Sequence, residues 1–270
     1  MEFDLVLPTA IFIVVAVAIL LYQKLEKRIR LLLEERKLST REAVLMVVAM
    51  SFMVTVIALM PSQAVKVLYI SVYSVTMFSF TFVALKKWYI AIILPLLFVL
   101  SYFLYWTLLT LNLFAMIFAA IMTVYLCSLF SWKTTWIFAI LLTIMDVIQV
   151  FVTGLMGEIA SKTLELGLPV LIVLPAFPAK GNMVLGLGDI FLSGLLSLQT
   201  VLEQGRETGI LTAVTISIAM FVFEITLLNN MFTGYFPATV VVISGWLAGI
   251  MIARLVRLKS NLFSVPPRIV

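Results

Sequence analysis

The sequence predicts an all-α, polytopic membrane protein with nine transmembrane helices. Three observations carry that prediction. Hydrophobic residues make up 64% of the chain and charged residues only 11%, whereas about a quarter of the residues in a usual soluble domain are charged. Apolar runs near the roughly 20 residues that a spanning helix requires recur along the whole length. These runs are continuously apolar, whereas barrel strands would be short and would alternate polar with apolar. No stretch of soluble-domain composition is left over, so the 270 residues read as one membrane-embedded domain.

The first apolar run covers about 5–22. Glu2 and Asp4 precede it where a cleaved signal would carry positive charge, so it reads as a first span. Residues 23–41 are amphipathic and highly charged, the pattern of an interfacial helix continuing that span. Runs at about 42–60, 65–84, 88–106, 109–130 and 133–155 supply spans two to six. Their connections are short, which favours antiparallel neighbours. Pro61 falls at a span end, and Pro95 lies inside the fourth span, where it predicts a kink.

The connection 156–182 is apolar but broken by Pro169, Pro175 and Pro178. It reads as an extended or re-entrant segment and not as a tenth helix. Leu171 to Leu174 has the length of a short strand. Residues 183–270 hold spans seven to nine, at about 183–201, 209–227 and 236–256. Gly205 and Gly234 mark their ends.

The formal net charge is +5. The basic residues lie mostly between apolar runs, so they read as topology signals and lipid-headgroup contacts, with no nucleic-acid partner implied. Of the 18 basic residues, all but Lys66, Lys162 and Lys180 fall on one side of the expected layout. That basic side holds Arg36, Arg268 and the rest. The positive-inside rule then places the C-terminus in the cytoplasm and the N-terminus outside. No N-x-S/T sequon occurs and the loops are compact, features of a prokaryotic chain. Trp88, Trp106, Trp132, Trp136 and Trp246 read as interface anchors or packing residues. Cys127, the single cysteine, reads as a small packing residue. The chain contains no histidine, which excludes HExxH metalloprotease chemistry, His-ligated metals and a Ser–His dyad.

Three acidic side chains fall inside predicted spans: Asp146, Asp189 and Glu224. A carboxylate in the bilayer costs at least a few kcal/mol, and no lysine or arginine lies at similar depth to offset it. Glu224 reads as a neutral acid bonded to nearby polar groups, or as a residue nearer the interface. Asp146 and Asp189 have a more specific use. Two carboxyls sharing a site cannot both ionise readily, so one acts as base while the other keeps a proton. Such a pair can split a peptide bond with water and needs no metal or cofactor. Asp189 follows Gly186-Leu187-Gly188 at the opening of an apolar helix. Glycines there allow close approach of a neighbouring helix or a substrate strand.

These features together resemble the presenilin and signal-peptide-peptidase group of GxGD intramembrane aspartyl proteases. The matching stretches are Asp146 in MDVIQVF, Asp189 in MVLGLGDIF and Pro237-Ala238-Thr239 in YFPATVV. The LPVLIVLP stretch and the N-outside orientation are closer to the signal-peptide-peptidase branch. The resemblance implies Asp146 and Asp189 as catalytic residues. It implies Gly186, Leu187, Gly188, Pro237, Ala238 and Thr239 as motif or substrate-site residues, and transmembrane peptides in membrane lipid as partners. The chain departs from the family at Met145, where an aromatic residue is usual, and at Thr239, where leucine is usual. A homo-oligomer is compatible with this reading. Two other readings stand beside it. A prepilin or preflagellin peptidase also uses a GxGD aspartate, but carries lysine soon after it and has fewer spans. A cation- or proton-coupled transporter would use the same buried aspartates without cleaving peptide bonds.

Overall fold

The computed structural model describes residues 2–32, 37–229, 231 and 236–263. Arg36, Gly234, Tyr235 and Arg268, which entered the expectations above, lie outside the described residues. The helices are α1 (Val6–Leu32), α2 (Thr40–Leu59), α3 (Ser62–Leu85), α4 (Trp88–Ala91), α5 (Ile93–Leu104), α6 (Leu108–Leu129), α7 (Trp132–Ile148), α8 (Leu155–Glu165), α9 (Leu187–Gln204), α10 (Arg206–Leu228) and α11 (Ala238–Phe263). A π-turn, Gln149–Thr153, extends α7. Strands β1 (Leu171–Pro175) and β2 (Asn182–Gly186) form one antiparallel hairpin. Among the described residues, seven helices are long and apolar enough to cross a bilayer. The architecture is that of a helical, multi-pass membrane protein.

Helix starts in an apolar medium need their first N–H groups satisfied locally. The chain does this with reciprocal caps. Ser39 and Glu42 cap each other's backbone at α2, Thr107 and Thr110 at α6, and Ser131 and Thr134 at α7. Residues 23–32 continue α1 without a break, as the charge pattern predicts.

Three expectations are corrected. The fourth span is interrupted, and the break falls at Ile92, not at Pro95 itself. A proline ring clashes with the carbonyl four residues earlier, which here is Ala91, the last residue of α4. The seventh span does not begin at 183. Residues 182–186 are strand, and the helix starts at Leu187. The 156–182 connection is not wholly extended either. Its first part is helix α8, and only the proline-flanked part pairs as a strand. The hairpin is a local departure from an all-helical fold.

Helix α9 is the hub of the bundle. Every residue from Ile190 to Thr200 is buried, against α1, α6, α7, α10 and α11. It is less apolar than its neighbours because it faces protein and not lipid. Gln199 and Thr200 find partners there. Gln199 Nε2 donates to the carbonyls of Cys127 at 2.8 Å and Phe130 at 3.1 Å. Trp246 Nε1 donates to Thr200 Oγ1 at 2.8 Å, so Trp246 is a packing residue and not an interface anchor. Trp88, in contrast, is exposed.

Helices α10 and α11 pack most closely at Gly245 and Gly249, a G-x-x-x-G pair. A Cβ at Gly245 would stand 2.7 Å from Ile216 Cα, and one at Gly249 would stand 2.8 Å from Thr212 Cα. Gly249→Leu should therefore push the helices apart at a cost of about 1–3 kcal/mol. A lower melting temperature in detergent is the expected reading. An unchanged one would show that the contact is not tight.

Candidate functional site

Asp146 sits in the last turn of α7 and is 8% exposed. The π-turn begins three residues later, and Gly154, at φ 66°, ends it in the left-handed region that favours glycine. The widened turn buries Gln149 one turn beyond Asp146. Single π-turns inside helices recur at functional sites.

Asp189 is placed by the hairpin. Leu171 pairs with Gly186, Val173 with Val184 and Pro175 with Asn182. The Leu187 N–H donates to the Val170 carbonyl at 3.0 Å, carrying the pairing into the helix start. Asn112 on α6 fixes the other edge of β1. Its Nδ2 donates to the Val173 carbonyl at 2.6 Å, and its Oδ1 accepts from the Val173 N–H at 2.8 Å. An asparagine within an apolar run was the sequence signal for this bond, because an amide in a membrane needs partners. The hairpin tip is held by the N-terminal segment. Leu5 N–H donates to the Phe177 carbonyl at 3.0 Å, and Phe177 N–H donates to Asp4 Oδ1 at 2.9 Å.

Asp189 therefore lies in the first turn of α9, at the end of a strand, and not deep within a span. The first turn of a helix carries unsatisfied N–H groups and favours a carboxylate. Gly186 has a steric role, since a Cβ there would come 3.2 Å from Asp189 Oδ2. Gly188 differs from expectation. Nothing lies within 4 Å of the position its Cβ would take, so it opens space beside Asp189 and makes no close helix contact.

The two aspartates meet at one cavity of about 310 Å3. Asp146, Gln149, Gly186, Leu187, Gly188, Asp189 and Thr239 line it, with Met145 among the apolar walls. The two carboxyls act on each other electrostatically. No lysine or arginine lines the cavity among the described residues. The third motif arrives on the first turn of α11. Thr239 Oγ1 donates to Asp146 Oδ2 at 2.7 Å, and the Thr239 backbone N–H also faces that carboxyl. Both aspartates thus stand at helix N-termini, Asp189 on its own helix and Asp146 against α11. Pro237 precedes α11 and its carbonyl accepts from Val240 N–H at 3.1 Å. Pro237 and Ala238 position this turn and do not line the cavity.

Glu224 does not join the site. It is 1% exposed on α10, and neither carboxyl oxygen has a hydrogen-bond partner among the described residues. The expected bonds to nearby polar groups are not found there. Among the described residues, no cluster of three or more His, Cys, Asp or Glu side chains could hold a metal ion. No protein-family model matches this chain, and no curated protein matches it.

Proposed function

We propose that this chain is an intramembrane aspartyl protease of the presenilin and signal-peptide-peptidase kind, cleaving peptide bonds within transmembrane segments. One observation carries the proposal: Asp146 and Asp189, from separate helices, line a single cavity together with the Gly186-Leu187-Gly188 turn. The ionised carboxyl takes a proton from water as the water oxygen bonds to the scissile carbonyl carbon. The protonated carboxyl gives its proton to the carbonyl oxygen. The resulting gem-diol collapses, the C–N bond breaks, and the nitrogen leaves as an amine with a proton from the dyad. In this reading the interrupted α4–α5 pair and the buried α9 complete nine crossings. The distribution of basic residues sets the N-terminus outside and the C-terminus in the cytoplasm.

Helical substrates hide their carbonyls in their own hydrogen bonds, so a segment must unwind before cleavage. Strand addition would hold it open. The proline-flanked strand β1 does not offer its outer edge for this, because that edge is already held by Asn112 at Val173. The register leaves β2 as the edge for a substrate. Val173 directs its backbone groups away from β2, so its partner Val184 directs its own groups away from β1. Val184 is 46% exposed, and by this register its N–H and C=O point to the outer edge of the hairpin. The edge ends at Gly186, beside Asp189.

The direct test is purified protein in liposomes with a membrane-embedded reporter peptide, products being identified by mass. Site-specific cleavage blocked by a transition-state-mimicking aspartyl protease inhibitor is expected. Aspartate-dependent ion flux without cleavage would replace this reading with a transporter.

Thr239 adds a finer expectation. Thr239→Val keeps the shape and removes the donor to Asp146. A hydrogen bond to a charged group is worth about 1.5–3 kcal/mol, so kcat should fall about tenfold or more, with KM little changed. Thr239→Ser should restore it. A change in KM alone would place Thr239 on the substrate side instead.

A further inference from the structure

An apolar groove lies away from the aspartates. It has a volume of about 430 Å3 and runs between α1, α3, α5 and α6. Val14, Val17 and Leu21 form its α1 wall, and Phe80, Ala84 and Leu85 its α3 wall. The lining is almost wholly hydrocarbon. Its one hydroxyl, on Thr81, is already spent on the Met77 carbonyl at 2.8 Å. Val17 and Leu85 are exposed at its mouth, so the groove opens to the bilayer.

One end of the groove is cationic. Along α1, positions 17, 21, 24 and 28 share a face by helical spacing, so the wall of Val17 and Leu21 continues into Lys24 and Arg28. Arg28 Nη1 donates to the carbonyl of Ala84, a groove residue. This fixes the guanidinium at the groove end and leaves its other nitrogens without a hydrogen bond among the described residues. On the facing wall Leu85 is followed directly by Lys86 and Lys87, both exposed, and then by exposed Trp88. Glu26 lies on the opposite side of α1 from Lys24 and Arg28. An apolar groove whose walls run on into four cations complements an acyl chain joined to an anionic phosphate.

We propose that this groove is a binding site for an anionic phospholipid. One acyl chain lies between α1 and α3, and the phosphate is held by Arg28, Lys24, Lys86 and Lys87. Basic pockets between spanning helices hold anionic headgroups by the same attraction. Arg28 supplies directed hydrogen bonds, and the lysines act as point charges. The chain in the groove fills a gap between α1 and α3 that side chains leave open. The site is independent of the proteolytic reading, because no residue of the cavity at Asp146 and Asp189 takes part.

The test is native mass spectrometry of the full chain, released from nanodiscs of equal phosphatidylglycerol and phosphatidylcholine with identical acyl chains. The expected result is at least tenfold preferential retention of one phosphatidylglycerol. Arg28→Gln/Lys86→Gln/Lys87→Gln should abolish that preference. Lys133→Gln/Arg206→Gln/Arg254→Gln, which removes the same charge elsewhere, should keep it. Val17→Phe, which fills the groove from its exposed wall, should lower retention of both lipids. Equal retention of the two lipids by the unaltered protein would overturn the proposal. So would equal loss of preference in the two triple variants, or unchanged retention in Val17→Phe.

Discussion

Asp146→Asn and Asp189→Asn should each abolish cleavage of a membrane-embedded reporter, lowering kcat/KM by about 10^3-fold or more, while the protein still accumulates and melts normally. The size follows from the chemistry. Loss of a general acid or base alone costs about 10^2–10^4-fold, and in the proposed reaction the two carboxyls work as one unit. The double variant should therefore be no worse than either single one. Asparagine keeps the side chain's shape, so Thr239 can still donate to position 146 across the bond it now makes at 2.7 Å. It also removes a buried acid, which leaves stability unchanged or raised. Cleavage products followed by mass spectrometry in liposomes, beside a thermal melt, read both quantities. Cleavage retained by either variant would remove that aspartate from the reaction.

Val184→Pro should lower cleavage about tenfold to a hundredfold without unfolding the hairpin. Proline removes an N–H and fixes φ, and it is tolerated in a sheet only where that N–H points away from the ladder. Val184 is such a position. Its partner Val173 sends both backbone groups to Asn112, so the Val173–Val184 pair exchanges no ladder bonds. Pro175 already occupies an equivalent outward position on β1. The substitution thus removes one hydrogen bond to an added strand and clashes with its approach. Met183→Pro serves as the contrast, because Met183 and Leu174 form a bonded pair facing inward; that variant should lose the hairpin and melt lower. If Val184→Pro cleaves at the normal rate, substrate does not add to β2.

Several features were legible before any fold was known. Seven of the nine expected runs are helices long and apolar enough to span, among the described residues, because hydropathy over about 20 residues reports on the solvent directly. Gly205, at φ 100°, ends α9 where its position implied a break. The proline-flanked Leu171–Leu174 segment is a strand, as its length allowed. Other features were not legible. Helix α8 lay hidden because its sequence carries no run of span length. The start of α9 was misplaced because Met183 to Leu185 are as apolar as a helix face, and only pairing with β1 makes them strand. Asn112 carried a signal, a lone amide in an apolar run, but not the identity of its partner 61 residues away.

Composition and periodicity by themselves determined that this chain is a bundle of spanning helices, and that Asp146 and Asp189 are costly residues in need of a use. Those are local properties, set by what each segment exchanges with lipid. Tertiary structure alone decided that the two aspartates share a cavity, that β2 and not β1 keeps a free edge, and that Thr239 holds Asp146 from a position 93 residues away. Each depends on where the ends of separate helices converge. Convergence is fixed by packing around α9 and by close approach at Gly245 and Gly249, which no single stretch of sequence encodes.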